Sequence, residues 1–202
     1  MLPICATAQD FWCVEMLGGS AYSIATPLTI HQSGSDDIEV TAQYATHSFQ
    51  SPLYYAIRLG RWKDTRAWEI ELVHLKLDLT NKPSEVQHFE ISHGYNLIMV
   101  NRVWMPKSSI FRLGAGVVIA HPENTVRKKS LDEHRGILNA GYYLAGPTVQ
   151  AAVGKRFSVT PHLFVTIEGK VTGSYASIPV ADGEASVPNA SIHGLLGFGY
   201  AR

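Results

Sequence analysis

From about residue 37 onward the chain alternates apolar and polar side chains with a period of two, and this limits its fold more than any other feature. Successive side chains of a strand point to opposite faces, so the pattern marks two-faced strands; a helix would repeat every 3.6 residues. Leu163, Val165, Ile167 and Val171 share one face against Phe164, Thr166, Glu168, Lys170 and Thr172. Phe111, Leu113, Ala115, Val117 and Ile119 oppose Arg112, Gly114, Gly116 and Val118. Leu53, Tyr55, Ile57 and Leu59 oppose Tyr54, Ala56, Arg58, Gly60 and Trp62, and Ile38, Val40, Ala42 and Tyr44 oppose Glu39, Thr41, Gln43 and Ala45. Near the end, Ile192, Leu196, Phe198 and Tyr200 oppose His193, Leu195, Gly197 and Gly199. Between Trp68 and Leu79 the apolar set changes parity at Leu72–Val73, and a β-bulge there is expected to restore a single polar face.

The pattern predicts eight strands, at 37–46, 53–62, 67–79, 89–104, 110–120, 138–153, 157–176 and 190–201. The connections between them alternate in length. Those at 80–88, 121–137 and 177–189 are long, and those at 63–66, 105–109 and 154–156 are short. Strands of about ten residues with turns of alternating length are the mark of a barrel that crosses a bilayer, short turns on one side and long loops on the other. Residues 9–36 are left over, as a periplasmic segment, a plug or an extra strand.

A soluble lipid-binding barrel would use the same alternation with its faces inverted. Three features favour the membrane form. The polar faces carry both signs of charge (Glu39, Arg58, Glu69, Glu71, Arg112, Glu168, Lys170), able to pair in a narrow lumen. They are also rich in the small residues that a tight eight-stranded interior needs. Aromatic residues gather near strand ends, at Tyr55, Trp62, Trp68, Trp104, Phe111, Tyr142, Tyr143, Tyr175 and Tyr200, where an amphipathic ring suits the headgroup level. Lys plus Arg and Asp plus Glu both number 17, so the electrostatic footprint of a nucleic-acid binder is missing.

In this architecture the chain resembles the small bacterial outer-membrane β-barrel proteins, a class that includes lipid A-modifying enzymes. The resemblance covers about 37–202 and implies an all-β, antiparallel up-and-down transmembrane barrel in the outer membrane. The implied partners are the barrel assembly machinery and outer-membrane lipid or lipopolysaccharide. Two departures stand out. Such barrels usually finish on an aromatic residue, whereas this chain ends Phe198-Gly199-Tyr200-Ala201-Arg202. A His-x-Ser motif near the last strand, typical of the lipid A deacylases, is replaced by His193-Gly194-Leu195, which argues against deacylation.

Near the N-terminus, Ala6-Thr7-Ala8 has the small-x-small form of a signal-peptidase site, so residues 1–8 read either as the tail of an export signal or as a chance match. Cys5 and Cys13 leave a single bridge open and form no metal motif.

His121 and Glu123, two apart across Pro122 where a strand meets an outer loop, are the first candidates for chemistry: a base with its orienting carboxylate, a pair of divalent-metal ligands, or simply a solvated loop start. His93 and Asn96 begin another strand at the same rim and are expected to support them. Ser92 is expected to face away from His93, since the two are adjacent in a strand. Glu71, His74, Glu168, Lys170 and His193 are expected to share a lumenal polar network, as a buried acid–base site or as ion pairs that neutralise one another. Arg127-Lys128-Lys129 is a basic run that could meet lipid phosphates or serve as a solvated loop face. Three functions stay open: lipid A modification or binding at the outer rim, a non-enzymatic barrel for membrane integrity, adhesion or small-solute passage, and a soluble lipid-binding barrel.

Overall fold

The computed structural model describes residues 10–132 and 136–202, so the readings placed on residues 1–8 and on Cys5 lie outside the described residues. Among the described residues thirteen strands form one sheet: β1 Asp10–Ile24, β2 Thr26–Gln32, β3 Ile38–Ala42, β4 Tyr44–Ala45, β5 Tyr55–Lys63, β6 Arg66–Leu79, β7 Val86–Trp104, β8 Ser109–Ala120, β9 Glu123–Val126, β10 Lys129–Ser130, β11 Tyr143–Ser158, β12 Leu163–Val180 and β13 Gly183–Ala201. Eight of them close an antiparallel ring, β1-β5-β6-β7-β8-β11-β12-β13 and back to β1. Closure pairs the backbone of every wall strand on both sides, which a barrel in hydrocarbon requires.

Both ends of the described wall and the turns 64–65, 105–108 and 159–162 lie at one end of the barrel. The excursions lie at the other. There β2–β3 folds back as a hairpin that extends the sheet along β13, and β9–β10 does the same along β7. The segment expected as a loop at 177–189 is a tall hairpin instead. β12 and β13 stay paired up to Val180 and Gly183, turning on Ala181 and Asp182, whose φ is 60°. The short connection expected at 154–156 falls at 159–162, because β11 continues to Ser158.

The wall differs from the sequence reading in one strand. Asp10–Ile24, placed in the leftover segment, is a full wall strand, while 37–46 lies above the wall in β3 and β4. In β1 the inward set (Cys13, Glu15, Leu17, Ala21, Ser23) is nearly as apolar as the outward set (Trp12, Val14, Met16, Tyr22, Ile24), so its alternation is muted. In β3 the alternation is clear, but the apolar side is turned inward: Ile38 and Ala42 are buried and Glu39 is exposed, outside the lumen.

Apolar side chains cover the outside of the wall around its circumference. Ile70, Leu113, Val149, Ile167, Leu196 and Phe198 are each more than half exposed. A continuous band of this extent far exceeds the patches that soluble monomers leave in water, and it overturns the soluble-barrel reading. On β12 the band runs from Leu163 to Tyr175. At about 3.3 Å per residue and about 40° of tilt, that is about 30 Å, a bilayer's hydrocarbon thickness. Trp12, Trp68, Phe111 and Tyr200 mark its lower edge and Tyr22, Tyr55 and Tyr175 its upper edge. Trp62, expected among these rim aromatics, is instead fully buried and points into the lumen.

The lumen is filled in three layers. Cys13, Trp62, Ala67, Val103, Ile110 and Phe164 form an apolar floor, with the Arg156 guanidinium stacked on Trp62 at 4.8 Å and on Phe164 at 3.8 Å. Above it lies a charged layer. The upper third is an apolar core, built from Leu75, Leu77, Phe89, Ile91, Val118, Ile178 and Val187 of the wall and from Leu28 and Ile30 of the β2–β3 hairpin. The interior therefore changes from polar to apolar with height, and the exterior changes from apolar to polar at the same level.

That double inversion explains β6. Its odd-numbered residues face inward along its whole length, Glu69 and Glu71 in the charged layer and Val73, Leu75, Leu77 and Leu79 in the upper core. No bulge sits at Leu72–Val73; pairing with β7 is regular there. The parity change in the sequence records the change of surroundings, not a change of face. The register shift falls higher, where Leu75 pairs with Tyr95 but Leu77 pairs with Ile91, so β7 carries two extra residues opposite Lys76.

Candidate rim site and the lumenal charge layer

The charged layer holds Glu15, Glu69, Glu71 and Glu168 against Arg58, Arg112 and Lys170, all at most 2% exposed. Arg58 Nε donates to Glu71 Oε1 and its Nη1 to Glu15 Oε2, both at 2.9 Å, while its Nη2 donates to Glu168. Arg112 Nε donates to Glu69 Oε2 at 2.7 Å, and its Nη1 donates to the second oxygen of Glu168. Lys170 donates to Glu71, which also accepts from Asn101 Nδ2 at 2.8 Å. Gly114 makes room for this, since a Cβ there would lie 2.0 Å from Asn101 Oδ1. With Arg156 just below, four cations face four carboxylates, and the layer neutralises itself.

Glu71, Glu168 and Lys170 thus meet as the sequence placed them. His193 sits at the layer's upper edge and is held by neutral partners, Tyr54 Oη at Nδ1 and Thr172 Oγ1 at Nε2, both at 2.9 Å. His74 does not belong to the lumen. Without the bulge expected at Leu72–Val73 it faces outward, bonded to Asn96 Oδ1 at 2.9 Å and stacked on Tyr55 at 5.1 Å.

The second cluster lies outside, just above the lipid-facing band. The bulge of β7 turns both Ser92 and His93 outward, next to Gly94 at φ 130°. Adjacent residues of a regular strand could not do this, and the two side chains, expected on opposite faces, lie 3.3 Å apart. β8 ends at Ala120, and the chain carries His121 and Glu123 up beside them. Ser92 Oγ donates to Glu123 Oε1 at 2.5 Å, His93 Nδ1 lies 2.7 Å from the same oxygen, and His121 Nδ1 lies 3.7 Å from it. His121 packs edge-on against Tyr142, with ring centres 4.9 Å apart. Burial raises the affinity of Glu123 for a proton, but the Ser92 and His93 hydrogen bonds and the two imidazoles outweigh it and hold the carboxyl below its ordinary range.

His121, Glu123 and His93 therefore converge, and Ser92, which the sequence reading set aside, joins them; only a bulge could have revealed it, and no local residue pattern signals one here. Asn96 bonds His74, not the cluster, but lines the same groove. This groove, about 450 Å³, is walled by Leu72, Ile98 and Ile119 from the lipid face and by His74, His93 and Asn96 above. Arg127 and Lys129 of the basic run are tied down: Arg127 donates to Gln32 Oε1 at 3.0 Å and to the Asp36 carbonyl at 2.7 Å, and Lys129 pairs with Asp182 at 2.7 Å.

A closed antiparallel ring with an apolar exterior, aromatic edges and a charged interior defines a transmembrane β-barrel of the bacterial outer-membrane type. Among solved structures, the chain is similar over nearly its full length to Neisserial surface protein A, at 8% identity and a TM-score of 0.43, covering 95% of this chain and 96% of that one. It is also similar to the attachment invasion locus protein Ail of Yersinia pestis (8%, TM-score 0.45, covering 96% and 99%). A third such structure is the outer membrane protease OmpT of Escherichia coli (8%, TM-score 0.47, covering 97% and 98%). No family model matches the chain, and no curated protein does.

Proposed function

We propose that the barrel is a lipid-modifying enzyme of the outer leaflet, with lipid A or lipopolysaccharide as its substrate class and an ester as the reacting bond. The reading rests on one observation: Ser92, His93 and His121 converge on a single oxygen of Glu123 at the upper edge of the lipid-facing band. A groove that is apolar below and polar above suits an amphiphile, with its acyl chain against Leu72, Ile98 and Ile119 and its head group toward His93, the member of the cluster that lines the groove. Glu123 is placed to take the Ser92 proton as Oγ bonds to the ester carbonyl carbon; the alkoxide leaves with that proton, and water then frees the acyl group from Ser92. The His-x-Ser motif typical of lipid A deacylases is missing near the last strand, which argues against deacylation by that motif alone; the Ser92–Glu123 pair of β7 and β9 supports an acyl loss carried by residues elsewhere in the barrel.

The non-enzymatic reading keeps two of its three forms, membrane integrity and adhesion. Packed side chains close the lumen at all three levels among the described residues, which leaves solute passage without a route. A lipid A mass spectrum from cells making the barrel tests the proposal. A mass loss equal to one acyl group, abolished by Ser92→Ala and Glu123→Gln in barrels that keep heat-modifiable gel migration, is expected. An unchanged spectrum from the assembled wild type would overturn it.

A further inference from the structure

We infer that His93, His121 and Glu123 form a binding site for one divalent transition-metal ion of the zinc type. Zinc sits about 2.0–2.2 Å from imidazole nitrogen and carboxylate oxygen, so the ligand atoms of a tetrahedral ion stand about 3.4 Å apart. Here the two His–Glu separations, 2.7 and 3.7 Å, bracket that spacing, and all three ligand atoms lie within 4.8 Å of one another. The two imidazole nitrogens, within 4.8 Å of each other, reach that spacing by a shift of at most about 1.4 Å.

A second observation points to a ligand. His121 Nδ1 is buried and has no hydrogen-bond partner, although its side chain is held in place by Tyr142. A buried nitrogen left unpaired is destabilising, and coordination would satisfy it. Two imidazoles with one carboxylate suit zinc, copper or nickel; calcium and magnesium favour oxygen cages. Three protein ligands leave the fourth position to water.

An ion here draws on the same Glu123 oxygen that accepts the Ser92 hydroxyl. Resting on the hydrolytic reading above, occupancy withdraws the base from Ser92 and switches the enzyme off. Zinc is therefore an inhibitor of this site.

The test uses the full-length barrel, refolded in detergent and stripped with chelator. Calorimetric titration with zinc chloride, and cobalt chloride followed by visible absorption, should both show one ion per chain, with an intense tetrahedral cobalt band. His121→Ala should weaken zinc by at least about tenfold, the loss known for mere outer-shell partners. His88→Ala, which removes a member of the second trio (His88, Glu90 and Glu123) that shares only Glu123 with this site, should leave binding unchanged. Absence of saturable binding, or binding sensitive to His88→Ala and indifferent to His121→Ala, would overturn the site. Ester hydrolysis unaffected at saturating zinc would overturn the inhibitory role. Zinc binding in a barrel that changes no lipid would instead sink the hydrolytic reading and leave the metal site standing.

Discussion

Glu168→Gln tests whether the lumenal layer is a set of mutually neutralising charges. Glu168 is the hub, 2% exposed, with one oxygen on Arg58 and the other on Arg112. The substitution keeps the volume, removes one of four carboxylates and sets an amide donor against a guanidinium donor. Four buried cations would then face three carboxylates. Taking one partner from a buried pair costs about 3–5 kcal/mol, because the remaining charge is left uncompensated. At about 1.4 kcal/mol per decade, that shifts the unfolding equilibrium by roughly 100-fold to several thousand-fold. Reversible urea unfolding in lipid vesicles reads this directly, since the floor residue Trp62 and the lipid-facing Trp12 and Trp68 change surroundings on unfolding. Glu184→Gln, on the exposed upper end of β13, is the control and should stay within about 0.5 kcal/mol. A Glu168→Gln barrel within about 1 kcal/mol of wild type would refute the reasoning, because the layer would then tolerate a net charge.

Two further outcomes follow from the double inversion. Val171→Arg places a charge near the middle of the lipid-facing band and should cost about 2–4 kcal/mol in the same unfolding assay, whereas a charge at Trp68, near the lower edge, should cost about 0–1 kcal/mol. Equal costs at the two depths would show that the band is misplaced. Leu77→Ala cuts into the upper apolar core and should cost about 2–5 kcal/mol while heat-modifiable migration persists, since the residue lies above the membrane-spanning ring; a cost under about 0.5 kcal/mol would mean that this core is loosely packed.

The strand pattern, the number of wall strands and the partners Glu71, Glu168 and Lys170 were legible in the sequence, because period-two alternation survives any choice of which face is inside. The same property hid what remained. Residues 38–44 alternate as cleanly as a wall strand, yet their apolar face turns inward to a core above the membrane. Residues 10–24 alternate weakly, because the floor and upper layers of the lumen accept Cys13, Leu17 and Ala21. His121 and Glu123 could be picked out by type and position at a strand end. Their union with Ser92 and His93 required the two-residue bulge of β7, which is set by pairing with β6 across the fold.

Alternation by itself determined that these residues form two-faced strands, since a strand has only two sides and the side-chain chemistry sorts onto them. Which side meets lipid, which meets the lumen and at what height the two exchange were decided only by closure of the ring. Solvent, hydrocarbon and core are assigned by neighbouring strands, so a parity change such as that of β6 cannot be told from a change of face until the ring is closed.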